Sequence, residues 1–208
     1  MKGAIFDLDG VIVDTAKYHY LAWRELAAEL GFFFREEDNE RLKGVSRMRS
    51  LEILLEVGGI THLTEEEKLS LATRKNARYV EMLGGLDKSE LLEGAEEYLL
   101  KLRREGVRIA LGSASKNAPF ILEKLGIASL FDAVVDGNSV EKAKPAPDVF
   151  LRGAEALGLD PADCCVFEDS QAGIEAARRA GCGVIAVDKT GGVLTDYDRV
   201  VRCLGDLL

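Results

Sequence analysis

A single short apolar run near the N-terminus, Ala4-Ile5-Phe6, runs straight into Asp7-Leu8-Asp9-Gly10. It reads as a buried strand closed by a polar turn. No second strand pattern follows until Arg108-Ile109-Ala110-Leu111. The intervening residues 15–89 carry helical spacing instead, with Leu21, Leu26 and Leu30 stopping at Gly31, further helices expected around 36–42 and 46–57, and Thr64 with Glu67 spaced as a capping box. A strand whose partners lie beyond a long helical stretch implies an α-helical insert in an α/β core.

From residue 90 the rhythm becomes helix, strand, helix, strand. Strand patterns at 108–111, 133–135, 164–167 and 184–187 alternate with helices ending near Gly106, Gly126, Leu157 and Gly181. That alternation predicts an α/β fold, a Rossmann-like parallel sheet with helices on both faces. The expected division is residues 1–14 and 90–208 for the core and 15–89 for the helical cap. A length of 208 residues with 47% apolar side chains suits one domain with an insert and a sizeable core.

The formal charge of −9 argues against nucleic acid or anionic membranes as partners. The start meets charge within a few residues and no apolar run reaches membrane-spanning length, so a cytoplasmic protein is expected. Cys164, Cys165, Cys182 and Cys203 lack zinc-site spacing and are expected to be reduced, packed thiols.

Open parallel sheets collect ligands at the carboxyl ends of their strands, where this sequence places its most polar residues: Asp7 and Asp9, Ser113, Glu168 and Asp169, with Lys144 in the loop after the third strand. Crowded carboxylates repel unless a cation joins them, and an oxygen-only set suits Mg²⁺. Asp7 can then act as a covalent nucleophile toward phosphorus, Asp9 as general acid and base, and Ser113 and Lys144 as stabilisers of the transferring oxygens. Taken singly, each has a plainer reading: a solvated Asp-x-Asp turn, a helix cap at Glu168-Asp169, a surface lysine. Their joint placement after successive strands is far more specific.

Asp7-Leu8-Asp9-Gly10-Val11, Ser113, Lys144-Pro145 and Glu168-Asp169-Ser170 resemble, in order, the four motifs of the haloacid-dehalogenase superfamily of phosphotransferases, with a helical cap after the first motif. Asp14-Thr15-Ala16-Lys17-Tyr18-His19, Leu42 to Arg47, Arg74-Lys75-Asn76 and Ser113 to Asn117 resemble its hexose phosphomutase branch. The resemblance implies interconversion of β-glucose 1-phosphate and glucose 6-phosphate through a phospho-Asp7 enzyme, with β-glucose 1,6-bisphosphate as intermediate and activator. It implies Mg²⁺ held by Asp7, the Asp9 backbone carbonyl, Glu168 and Asp169. Arg47, Ser115, Lys116 and Asn117 would hold the second phosphate, Thr15, His19 and Lys75 would couple cap closure to Asp9, and Trp23, Gly44, Val45 and Ser46 would line the sugar site. The implied partners are small sugar phosphates and the implied state is a monomer.

Competing readings attach to several of these residues. His19 and Trp23 share a helix face that ordinary packing could explain, Lys75 lies beside Arg74 and Arg78 on a face that could be solvated, and Arg49 competes with Arg47. The run Phe32-Phe33-Phe34 could be core or contact surface. The alternative activity is hydrolysis of small sugar phosphates by a phosphatase of the same superfamily.

Overall fold

The computed structural model describes residues 1–42, 45–189, 191–192 and 194–208. Its principal elements, in chain order, are β1 (Gly3–Phe6), α1 (Ala16–Glu29), α2 (Glu36–Asn39), α3 (Arg47–Val57), α4 (Glu65–Met82), α5 (Ala95–Arg104), β2 (Arg108–Gly112), α6 (Ala118–Lys124), β3 (Ala133–Val135), α7 (Asp148–Ala156), β4 (Cys164–Glu168), α8 (Gln171–Ala180), β5 (Gly183–Val187) and β6 (Arg199–Val201). The chain divides into two units, one comprising Met1–Asp14 with Leu86–Leu208 and the other Thr15–Gly85.

In the first unit six parallel strands lie in the order β3-β2-β1-β4-β5-β6. β1 is central, so both its faces are covered, and Ala4, Ile5 and Phe6 are all fully buried. That explains its continuous apolar sequence, since alternation is required only where one face meets water. The Phe6 and Phe167 rings stack at 4.4 Å between centroids, with Tyr98 set edge-on to both. Phe6 pairs in register with Leu111 on one side and Phe167 on the other. The three strands therefore end within one residue of one another, and the residues that follow them emerge at one edge.

The second unit is helical, built on a core that includes Trp23, Leu26, Phe34, Leu51 and Leu54. α4 opens with the expected capping box: the Glu67 carboxylate accepts from the Thr64 N–H at 2.8 Å and the Thr64 hydroxyl accepts from the Glu67 N–H at 3.3 Å. The phenylalanine run splits three ways. Phe34 is buried, Phe32 packs against Gly58, and Phe33 is 85% exposed.

Two expectations need adjustment. The helix expected at 36–42 is a single α-turn, α2, followed by a 3₁₀ turn at Glu40–Leu42. β6 was not anticipated, because three residues at a sheet edge, Arg199-Val200-Val201, are too short for a pattern. It is tied instead by side chains: Asp198 accepts from the Val184 N–H at 2.7 Å and forms a two-pronged pair with Arg178. All four cysteines are free thiols, and burial pushes Cys165 up to about 11 and Cys182 up to about 12. Among the described residues, no helix is long and apolar enough to cross a membrane.

Candidate active site

The backbone N–H of Asp7 continues the sheet, donating to the Phe167 carbonyl at 2.9 Å, and the N–H of Ser113 does the same to Val135 at 3.0 Å. Sheet register thus sets Asp7 beside Glu168, with Ser113 one residue further along at the same edge. Lys144 is buried among them. Its ammonium donates to Asp7 Oδ1 at 2.6 Å and to Glu168 Oε2 at 2.8 Å.

Burial works against charge on all three side chains, and their pairing offsets it. Burial raises the Asp7 carboxyl to about 7 against the pull of Lys144, with Glu168 and Asp9 adding to the rise. Burial also opposes the Lys144 charge, but the Asp7 and Glu168 carboxylates outweigh it and hold the ammonium above the ordinary lysine value. Such desolvated clusters cost stability and concentrate at functional sites.

Glu168 is held firmly. Its Oε1 accepts from the Asp169 N–H at 3.2 Å, the Ser170 N–H at 3.1 Å and the Ser170 hydroxyl at 2.8 Å, which leaves Oε2 to Lys144. Ser170 also caps α8 by accepting from the Gly173 N–H at 3.1 Å. A Cβ on Gly173 would collide with the Glu168 carboxylate, so the glycine is a steric requirement. Gly10 does the same for Asp169: it has φ +85, and a Cβ there would overlap the Asp169 carboxylate.

Ligand oxygens of Asp7, Glu168 and Asp169 lie within 4.8 Å of one another. A compact all-oxygen donor set of this kind fits a hard divalent cation. Asp9 sits in the turn two residues past Asp7 and is near enough for its charge to raise the Asp7 carboxyl. Ser113 is buried, and its hydroxyl oxygen accepts from the Ser115 N–H at 3.1 Å, which leaves its own proton to be donated elsewhere. Ser115 in turn accepts from the Asn117 N–H at 3.3 Å, while Lys116 is exposed.

Within the helical unit a second cluster forms. The Lys75 ammonium is buried, lies 2.7 Å from His19 Nδ1, and stands over the rings of Trp23 at 4.5 Å and Tyr79 at 4.8 Å. An ammonium so close requires Nδ1 to be an acceptor, so His19 is neutral with its proton on Nε2. Burial, then Lys75 and Arg47, hold the imidazole well below the ordinary histidine value. His19 stacks on Tyr79 at 3.9 Å, whose hydroxyl donates to the buried Thr15 hydroxyl at 3.0 Å. Lys75 is therefore not part of a solvated face, whereas its neighbours Arg74 and Arg78 both pair with Glu29.

Arg47 is the first residue of α3, partly exposed, and among the described residues it forms no ion pair. Arg49 bonds Glu52 at 2.9 Å and Glu56 at 3.3 Å. Ser46 caps α3 and Val45 is partly exposed beside it, while Gly44 falls outside the described residues. Sequence reasoning passed over Gly10, Ser170 and Gly173 as working residues. The Ser-x-x-Gly spacing of a helix cap was the available signal for the latter two.

Strand order, shared register and a carboxylate cluster at the carboxyl end of the sheet define a doubly wound α/β protein with an aspartate-centred, oxygen-rich site. The chain belongs to the haloacid dehalogenase-like hydrolase family, whose profile matches residues 1–181. It is 45% identical over 208 residues to a β-phosphoglucomutase of Bacillus subtilis, covering 100% of this chain and 92% of that one. It is 35% identical over 185 residues to a fructose-1-phosphate phosphatase of Escherichia coli, covering 89% and 95%. A crystal structure of β-phosphoglucomutase from Clostridium difficile superimposes with a TM-score of 0.95 at 39% identity, covering 100% and 93%.

Proposed function

We propose that this protein is a β-phosphoglucomutase that interconverts β-glucose 1-phosphate and glucose 6-phosphate through β-glucose 1,6-bisphosphate. The observation that carries the reading is the Lys144-bridged pair of Asp7 and Glu168 at adjacent strand ends, in a chain 45% identical from end to end to a β-phosphoglucomutase. The donor set of Asp7, Glu168 and Asp169, completed by the Asp9 carbonyl, would hold Mg²⁺, which when bound neutralises carboxylate charge and polarises a phosphoryl oxygen.

In this reading a carboxylate oxygen of Asp7 attacks phosphorus of the bisphosphate and the bond to the sugar oxygen breaks. Asp9 gives its proton to that departing oxygen. Glucose 6-phosphate leaves, β-glucose 1-phosphate binds, and Asp9 takes the proton from its 6-hydroxyl as that oxygen attacks phospho-Asp7, which restores bisphosphate and free Asp7; the bisphosphate then turns to present its 1-phosphate for the next transfer. Lys144 and the Ser113 hydroxyl hold the equatorial oxygens, whose charge is greatest midway through transfer. Ser115, Lys116 and Asn117 hold the phosphate that is not reacting. Thr15, His19, Trp23, Gly44, Val45, Ser46, Arg47 and Lys75 enter on the strength of the sequence resemblance, as groups that bind the sugar phosphate and bring Asp9 to its working position. A planar guanidinium such as Arg47 suits paired bonding to phosphate. The protein is read as a cytoplasmic monomer acting on small molecules.

The test is one assay on β-glucose 1-phosphate with Mg²⁺ and catalytic glucose 1,6-bisphosphate, following glucose 6-phosphate and free phosphate together. Glucose 6-phosphate without matching phosphate release is expected. Phosphate released at a comparable rate would make the protein a sugar phosphatase, the activity named for the Escherichia coli relative. Asp7→Asn is expected to reduce turnover by at least ~10⁴-fold, and Asp9→Asn by ~10²–10⁴-fold.

A further inference from the structure

Asp136 is a buried carboxylate that no step above uses. It follows β3, so it lies at the same end of the sheet as Ser113. Its Oδ1 accepts from the Asn138 N–H at 3.0 Å and the Ser139 hydroxyl at 2.8 Å, and its Oδ2 accepts from the Asn138 side-chain amide at 2.9 Å. The same amide nitrogen donates its other hydrogen to the Lys116 carbonyl at 3.3 Å. Beside it, the Gly137 N–H donates to the Ser115 carbonyl at 3.3 Å. A Cβ on Gly137 would collide with the Ala114 carbonyl, so the two loops touch backbone to backbone.

This arrangement has a directional consequence. In a trans peptide the N–H points opposite to the C=O. Anchoring the Ser115 carbonyl against Gly137 turns the Lys116 N–H away from the 136–139 loop, and anchoring the Lys116 carbonyl fixes the plane from which Asn117 departs. Among the described residues Asp136 forms no ion pair, so hydrogen bonds alone offset the cost of burying its charge. A connection that only had to leave the sheet would not need a buried carboxylate to order it. A phosphate site does need rigid support, because its donors must be held within about 0.5 Å.

We propose that Asp136, Gly137 and Asn138 form a buttress that sets the phosphate-binding geometry of the 115–117 segment, with Asp136 and Asn138 as positioning residues for the phosphate that is not reacting. The proposal rests on the reading of Ser115, Lys116 and Asn117 given above. Two variants test it by different routes. Asn138→Ala removes the tie to Lys116, and Gly137→Ala keeps every polar group but presses a methyl group on the Ala114 carbonyl.

Each variant is compared with the wild type for KM and kcat on β-glucose 1-phosphate, for calorimetric binding of glucose 6-phosphate, and for thermal melting. KM and Kd are expected to rise about 5- to 10-fold, the equivalent of one lost hydrogen bond, with any fall in kcat smaller than about twofold. A folded variant with unchanged KM and Kd overturns the proposal. So does a fall in kcat at unchanged KM, which would assign the loop to the reacting centre. If the wild type releases phosphate instead of forming glucose 6-phosphate, the reading of the reaction fails while the KM and Kd ratios still judge the buttress. A wild type that does not bind glucose 6-phosphate overturns both.

Discussion

Lys144 and His19 show how burial acts on single groups. Lys144 keeps its charge because two carboxylates face it, whereas His19 loses its charge because burial, Lys75 and Arg47 all oppose a proton. The sign of the resulting pH dependence is fixed. Above about pH 6.5 neither folded nor unfolded His19 binds a proton, and below it only the unfolded chain does, so stability falls as pH drops, by up to ~1.4 kcal/mol per unit. His19→Gln removes that contribution. Unfolding free energies of wild type and variant from urea titrations, taken from pH 7 to pH 5, are expected to change relative to one another by up to about 2 kcal/mol; parallel curves would mean that His19 is ordinarily solvated. The identities of Asp7, Asp9, Ser113, Lys144, Glu168 and Asp169 were legible because they follow strand patterns. The roles of Gly10 and Gly173 were not, since each is required by a side chain that arrives from elsewhere in the sequence.

Elements place these groups by their ends. β1, β2 and β4 stop within one residue of one another because Phe6, Leu111 and Phe167 pair in register, and that coincidence brings Asp7 to residues more than a hundred positions away. Helix ends contribute too: Ser170 caps α8 while holding Glu168, and Ser46 caps α3 beside Arg47. α4 carries Lys75 and depends on its capping box for a defined start. Thr64→Ala is expected to destabilise the helical unit by ~1 kcal/mol, read as a lowered denaturant midpoint. An unchanged midpoint would show that tertiary packing alone sets where α4 begins. Helices with strong caps were visible in the sequence. The short edge strand β6 was not, because its place depends on Asp198 bonding Val184 and Arg178.

For the molecule as a whole, a bound cation that favours the folded state must raise its stability by mass action, by about 2.7 kcal/mol at a hundred times its dissociation constant. Millimolar Mg²⁺ is therefore expected to raise the melting temperature by roughly 5–10 °C for a chain of this size, with a chelator reversing the shift and Asp169→Asn removing most of it. A melting curve indifferent to Mg²⁺ would remove the metal from the proposed mechanism. The sequence alone determined the parallel α/β class, the helical insert after the first strand and the residue types at strand ends, because periodicity and local turn chemistry are short-range properties written in consecutive residues. Only the tertiary structure decided that one lysine bridges Asp7 and Glu168, that Lys75 is buried between aromatic rings, and that Asn138 bonds the Lys116 carbonyl in the loop that follows β2. Those facts depend on distances between segments remote in sequence, and such distances are set by sheet register and packing rather than by any local pattern.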